Sequence, residues 1–300
     1  MTILGSILKN SIPFRRQIRA LKRAIVPYRS NPANDSDLLE WSLRMVAALA
    51  DAGAQIPGST VVEIGTGWVP ILPLVFRMAG ASKIITVDQD RLMDRHTFLH
   101  AISSIHKNLD RLLSLTGVPK ELFDLRRLPS CQNERLGTLC TQSGLTYKAP
   151  SDFMDLAPGM ADFIVSRTVL EHIPEPVLRD IFAHAAKVLK PGGMMCHEID
   201  MSDHFEHKDK SISTVDMLGL DDATWQAKTH DPQDYQNRLR RFEFAQILRD
   251  GGWEILQMDG QPYPPAMESL KTMKLIPRYA NVPHEELAIL WSVVVAKRAI

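Results

Sequence analysis

The stretch "CHEIDMSDHF", Cys196 to Phe205, gathers His197, Glu198, Asp200, Asp203 and His204. Imidazoles beside carboxylates can take a proton from a hydroxyl or an amine and hold one another in place while doing so. His197 or His204 reads as the base, oriented by Asp200 or Asp203, with His172 in "LEHIP" as the second candidate. The same residue types also build hydrogen-bonded polar loops or hold divalent cations. Their spacing fixes no ligand geometry, and no metal is assigned. A second stretch, "VVEIGTGWVP" (Val61 to Pro70), carries apolar residues into Glu63 and then into Gly65, Thr66 and Gly67. Glycines there let the backbone turn sharply and approach a ligand closely. Asp88 closes the next apolar run, where a carboxylate can accept both hydroxyls of a ribose. Two glycines alone also fit a plain strand-to-helix turn.

A dinucleotide fingerprint calls for a third glycine at position 70, which here is Pro70. Proline offers no amide donor, so a pyrophosphate would be poorly held and a nicotinamide-dependent oxidoreductase is disfavoured. A third stretch, "YQNRLRRFEF" (Tyr235 to Phe244), brings Arg238, Arg240 and Arg241 together. Guanidinium forks suit carboxylate or phosphate recognition, and helical spacing sends these three to more than one face. Arg238, with Asp203 and Trp68, is a candidate for acceptor binding; for the arginines the alternative is solvated side chains paired with Glu243 and Asp234.

Elements that position these groups follow from hydrophobic period. "DSDLLEWSLRMVAALADAG" has helical spacing with Gly53 as its stop. Strands are expected near 60–64, 83–87, 145–149, 162–166 and 193–198, with helices near 70–79, 91–116 and 175–190 between them. Parallel strands separated by helices make a doubly wound sheet covered on both faces. The polar segment after position 200 breaks the rhythm and reads as an insertion over the open end of the sheet. A helix through "RRFEFAQILRDGG", a strand "WEILQMD" and a last strand "LWSVVVAKR" complete the chain. The connection between those strands has no strongly periodic crossover helix, so they are expected to pair antiparallel at the edge. The division implied is a helical extension over 1–57 and a main domain over 58–300, with 200–242 as the substrate cover.

In order along the chain, "VVEIGTG", "ITVDQD", "ADFIVSRTVLEHIP" and "VLKPGGMM" resemble the class I S-adenosylmethionine-dependent methyltransferases. That resemblance implies strand order 3-2-1-4-5-7-6 with the seventh strand antiparallel. It implies that Glu63 and the turn Gly65, Thr66, Gly67 face the amino-acid part of S-adenosylmethionine, that Asp88 takes the ribose hydroxyls and that Gln89 lies beside the adenine. It would place Asp152 at the adenine amino group, with Asp155 as an alternative, Phe153 packing nearby, and Ser166 and Arg167 bordering the methionine moiety. Where the family often has a further glycine this chain has Val69, preceded by Trp68, whose bulk can enclose cofactor or acceptor. The cofactor carries an activated methyl, so the enzyme's work is aligning a nucleophile and excluding water. Methyl transfer to a small acceptor is expected, to oxygen ahead of nitrogen. The alternatives are another reaction of the same cofactor and a silent scaffold subunit.

Charge and composition bound the partners. The chain has 35 Lys and Arg against 35 Asp and Glu. Seven of the basic residues and none of the acids fall within residues 1–30, which leaves a mildly acidic body unsuited to a nucleic-acid substrate. The basic head fits a helix lying on anionic lipid or on a partner, or one packed on the domain with a solvated face. Cys131, Cys140 and Cys196 give neither a disulfide framework nor a zinc knuckle, and a reducing cytoplasm is the expected location.

Overall fold

The computed structural model describes residues 31–130, 133–230 and 235–299. The basic head lies outside the described residues. Seven strands form one sheet: β1 (Thr60–Ile64), β2 (Lys83–Val87), β3 (Leu145–Lys148), β4 (Ala161–Arg167), β5 (Leu189–Asp200), β6 (Trp253–Met258) and β7 (Trp291–Arg298). Their order is 3-2-1-4-5-7-6. The first five pair in parallel, while β7 runs antiparallel to both β5 and β6. Both sequence expectations, the order and the reversed edge pair, hold. The parallel strands read as nearly unbroken apolar runs because each is buried on two faces.

One face is covered by α1 (Pro32–Asp51), α2 (Ile71–Met78) and α3 (Arg95–Thr116). Leu39, Leu43, Leu49, Phe76, Phe98 and Ile105 pack there against Val61, Ile84, Val165 and Val293. The helix preceding the first strand thus shares its core with the sheet. The opposite face carries α5 (Glu175–Val188) and α7 (Arg241–Asp250), whose Leu178, Phe182, Phe244 and Ile247 meet Val62, Ile164, Met195 and Val294. The short α4 (Leu136–Gln142) adds Leu139 and Cys140 to the core of the first face.

Two boundaries depart from the sequence reading for local reasons. The helix α3 starts at Arg95 rather than near 91. There the Asp94 carboxylate accepts the Thr97 amide at 2.8 Å and Thr97 Oγ1 accepts the Asp94 amide at 3.0 Å, a reciprocal cap that fixes the first turn. The strand β5 begins at Leu189, with its "KPGG" run inside the strand and a shift of register against β4 between Ala161 and Phe163.

A third apolar cluster sits over the strand ends. Val215, Met217, Leu218 and Trp225 of the insertion pack with Ala266, Leu270, Tyr279 and Leu290. The insertion's α6 (Asp222–Lys228) therefore shares a core with α8 (Pro264–Leu270) and α9 (His284–Leu287) from the connection before β7. Two separate segments of sequence build the cover.

Candidate active site

The parallel register places the chemically loaded residues along one edge. Asp88 follows β2, Gly65 follows β1, Arg167 ends β4 and Asp200 ends β5. These are carboxyl ends, where the helices on the two faces diverge. Gly65 has φ 78 and Gly67 has φ 65, in the left-handed region that side chains rarely adopt. A Cβ at Gly65 would stand 2.5 Å from Val169 Cγ2, so glycine lets the segment after β4 close onto this turn. The Gly67 amide donates to Asp88 Oδ2 at 2.9 Å and the Asp90 amide to Asp88 Oδ1, also at 2.9 Å. Asp88 thereby ties the glycine turn to the end of β2. Each carboxylate oxygen still has acceptor capacity for a ribose hydroxyl.

Glu63 is 3 % exposed, and its Oε2 has no hydrogen-bond partner. Burial, and then the charge of Asp88, push its carboxyl up to about 8, with the nearby Thr66 hydroxyl opposing them. A buried carboxyl that costs this much to ionise is poised for a cation, such as the ammonium of an amino acid. Trp68 is half-buried and packs on the α1–α3 core. Gln89 is exposed at the tip of the β2 edge. Asp152 is exposed and caps a short turn by accepting the Met154 amide at 3.0 Å, while Phe153 is buried against His184. Asp155 is exposed too.

The pairing of β4 with β5 sets Ser166 opposite His197 and Arg167 opposite Glu198. Successive side chains alternate faces, so the two pairs point in opposite directions. Ser166 Oγ and His197 Nδ1 are 2.8 Å apart, and the His197 ring lies 6.1 Å from Phe182 of α5. His197 is 1 % exposed, and burial brings its imidazole down to about 3. It is a neutral side chain of the α5 face, apart from the acidic group expected to orient it. Of the two imidazoles read from the sequence as the base, His197 or His204, this sets His197 apart and leaves His204 beside Asp200.

On the other face, Arg167 is split between two carboxylates. Its guanidinium bonds Asp37 of α1, and its Nε lies 3.5 Å from Glu198 Oε2. Glu198 is fully buried, and both its oxygens lack hydrogen bonds. Burial raises its carboxyl to about 8 despite Arg167. Two residues further on the same face, Asp200 faces His204, with Oδ2 and Nε2 3.5 Å apart. Burial alone would raise Asp200, but the interaction with His204 and the donation from the Ser202 amide bring it down to about 2. Asp203, the other carboxylate in the stretch, is buried and caps the next turn by accepting the Phe205 amide at 2.9 Å.

Beyond β4, Thr168 takes φ 48, an unusual conformation for a β-branched residue. This turns the chain into a short helical turn, Leu170–His172, over the strand ends. His172 comes within 5.0 Å of His204, centroid to centroid. His172 Nδ1 lies 2.9 Å from the Tyr235 carbonyl, an acceptor only, so Nδ1 carries the proton and Nε2 keeps its lone pair. Loss of solvent lowers this imidazole's pKa, opposed by the Tyr235 bond and aided by His204. The structure brings together His172, His204 and Asp200, and leaves His197 out.

Sequence reasoning missed the residues that hold this group. Glu171, beside His172, is 1 % exposed with neither oxygen hydrogen-bonded, and its carboxyl is raised well above the ordinary range, first by burial and then by Glu198 and Asp200. The extended segment before α7 grips the same turn. The Asn237 amide donates to the Glu171 carbonyl at 2.7 Å, and its side-chain nitrogen donates to Leu170 and Ile173 carbonyls at 2.8 and 2.9 Å. Gln236 accepts the His204 amide at 3.2 Å. Arg238, the acceptor-binding candidate, does not reach the group. It is 6 % exposed and donates to carbonyls of Met217 and Leu220 and to Asp222, inside the cover. Arg240 is fully buried on carbonyls of Met201, Leu287 and Ile289, and Arg241 pairs with Glu286. These arginines brace the cover.

The methyltransferase-domain family model matches residues 35–258, most of the chain. The chain belongs to this family. Its match with the ubiquinone biosynthesis O-methyltransferase of Methylococcus capsulatus is 28% identical over 135 residues, 42% of this chain. The chain spans about half the length of that curated relative, 51%. The solved S-adenosylmethionine-dependent methyltransferase of Mesorhizobium loti is 16% identical, covers 84% of this chain and 96% of its own, and superposes with a TM-score of 0.45. The magnesium protoporphyrin IX methyltransferase of Synechocystis PCC 6803, solved with bound SAH, is 14% identical over 97% of this chain and 95% of its own, with a TM-score of 0.46. Among the described residues of this methyltransferase, no helix is long and apolar enough to cross a membrane.

Proposed function

We propose that this methyltransferase moves the methyl group of S-adenosylmethionine to an oxygen of a small-molecule acceptor held under the cover. The observation that carries the reading is the placement of His172, His204 and Asp200 at the strand ends, one turn from the glycine loop that Gly65 lets Val169 close upon. S-adenosylmethionine supplies an electrophilic methyl on a sulfonium when bound. Glu63 receives the ammonium of its amino-acid part, Asp88 its ribose hydroxyls, and Gln89 borders the base. Phe153 is buried beneath the neighbouring edge, while exposed Asp152 stands at the rim. Ser166 stays with His197, and Arg167 links α1 to the sheet beside the methionine end. Trp68 flanks the opening.

With the cofactor bound, an acceptor oxygen would form the new carbon–oxygen bond as the carbon–sulfur bond broke, the electron pair going to sulfur as a neutral thioether. The hydroxyl proton leaves to His172 Nε2, the lone pair that the Tyr235 carbonyl fixes by holding Nδ1–H. His172 is exposed at the edge of the group, so a bound acceptor would have to displace water there before attack. An O-methyltransferase among the curated relatives supports oxygen as the accepting atom.

The test is a screen of hydroxylated and aminated small molecules with methyl-labelled cofactor, scoring label in product and S-adenosylhomocysteine released. Turnover with hydroxylated acceptors, lowered by His172→Ala about a hundredfold or more, supports the reading. Label transferred to amines alone overturns the oxygen assignment.

A further inference from the structure

Glu171, His172 and His204 each offer a donor atom, and these atoms lie within 4.8 Å of one another. Bonds of about 2.1 Å place ligand atoms about 3–4 Å apart, so side-chain adjustments of under about 1 Å would close the set on an ion. Proximity of such groups alone means little; the state of Glu171 gives it meaning. This carboxyl is 1 % exposed, neither oxygen has a hydrogen-bond partner, and one oxygen faces both imidazoles. Leaving a carboxylate buried and unpaired costs several kcal/mol, so proteins give it a cation or keep it protonated. Cationic help nearby is spoken for, because Arg167 is already shared by Asp37 and Glu198.

The scaffold around the three donors is built as ligand supports are. Three consecutive residues each hold one of them. Tyr235 accepts His172 Nδ1–H and so presents Nε2; Gln236 accepts the His204 amide; Asn237 donates to the Glu171 carbonyl. Asp200 stands 3.5 Å from His204 Nε2, where it can orient the imidazole or enter the set itself. Oriented imidazoles and a fixed backbone are what a metal centre asks of its outer partners.

We propose that Glu171, His172 and His204 bind a divalent first-row transition ion at the mouth of the active site. Two imidazole nitrogens and one carboxylate oxygen suit Zn2+, Fe2+, Co2+ or Mn2+ and leave coordination positions open. The proposal rests on the methyl-transfer reading and deepens it. In the ion-loaded enzyme His172 Nε2 is a ligand, an open position takes the acceptor hydroxyl, and the ion lowers that hydroxyl's pKa so that it ionises to water before attack. The metal-free enzyme keeps only the slower route, with His172 as base.

The experiment uses the full chain without a histidine tag, stripped with chelator and titrated with Co2+ while the ligand-field absorption is followed, then with Zn2+ in competition. One saturable site is expected. Glu171→Gln and His204→Ala should weaken it by at least about a hundredfold, and Asn237→Ala by about 10-fold, since the main-chain bond to Glu171 survives and only the side-chain bonds to the Leu170 and Ile173 carbonyls on either side of Glu171 and His172 are lost. Glu171→Asp should retain measurable binding. Melting curves and S-adenosylmethionine affinity of each variant show that it is folded. No saturable site in the wild type, or a site indifferent to Glu171→Gln and His204→Ala, overturns the proposal. Cofactor binding is read separately, so failure of the ion site leaves methyl transfer standing, and failure to bind cofactor removes the reading beneath both.

Discussion

Binding of S-adenosylmethionine should expel a proton, and Glu63 should be its source. The carboxyl is only 3 % exposed, and burial with the nearby charge of Asp88 pushes its pKa up to about 8. At pH 7 a group with that pKa is about 0.9 protonated. A cofactor ammonium set against it favours the carboxylate and returns its pKa toward the acidic range, so binding at that pH releases about 0.9 proton. At pH 7, one unit below that pKa, ionising the carboxyl costs roughly 1.4 kcal/mol that the cofactor must offset, and affinity should rise toward tenfold per pH unit below about pH 7.5, where the cofactor's ammonium is still protonated. Calorimetric titration in two buffers of different ionisation enthalpy measures the proton directly. Glu63→Gln should bind with no proton release and lose the pH dependence. A wild-type protein that binds the cofactor with no exchange of protons near pH 7 would refute the role given to Glu63.

Gly65→Ala should cost about 1–3 kcal/mol in denaturant unfolding, because its Cβ meets Val169 Cγ2 at 2.5 Å and φ 78 strains any side chain. Asn237→Ala takes the side-chain donor from the Ile173 carbonyl and from that of Leu170, which keeps the Ile173 amide, and should cost about 1–3 kcal/mol, lowering kcat more than cofactor affinity in steady-state and binding assays. His197 has a native pKa of about 3 against 6.5 unfolded, so between those values the unfolded chain holds the extra proton. Its contribution is full above about pH 6.5 and is lost as pH falls toward 3, up to roughly 5 kcal/mol, checked by urea midpoints along that range and by their flattening in His197→Gln.

The architecture was legible because its determinants are local. "VVEIG", "KIITV" and "DFIVS" are apolar on both faces, and helices with a clear stripe separate them. The glycine turn was legible for the same reason, since the demand for φ near 78 and 65 falls on two residues. The acid–base group was harder. His197 and His204 look alike in sequence; the register of β4 with β5 sends the first to the α5 core, while the helical turn after β5 brings the second near Asp200. Glu171 was hidden in "LEHIP" because its burial depends on Thr168 turning the chain and on Asn237, distant in sequence, holding it. In "YQNRLRRFEF" the arginines drew attention by charge, whereas the neutral pair Gln236 and Asn237 makes the contacts to the site. Arg238 and Arg240 bond main-chain carbonyls supplied by segments that meet only in the folded cover.

The most direct test is calorimetric binding of S-adenosylmethionine, S-adenosylhomocysteine and oxidised nicotinamide dinucleotide to the purified protein, repeated with Asp88→Ala. Saturable binding of both sulfur compounds, weakened by about 1.5–3 kcal/mol in the variant and absent for the dinucleotide, is the expected result. A folded protein that ignores both sulfur compounds, or that takes the dinucleotide instead, would contradict the assignment of this pocket to methyl transfer.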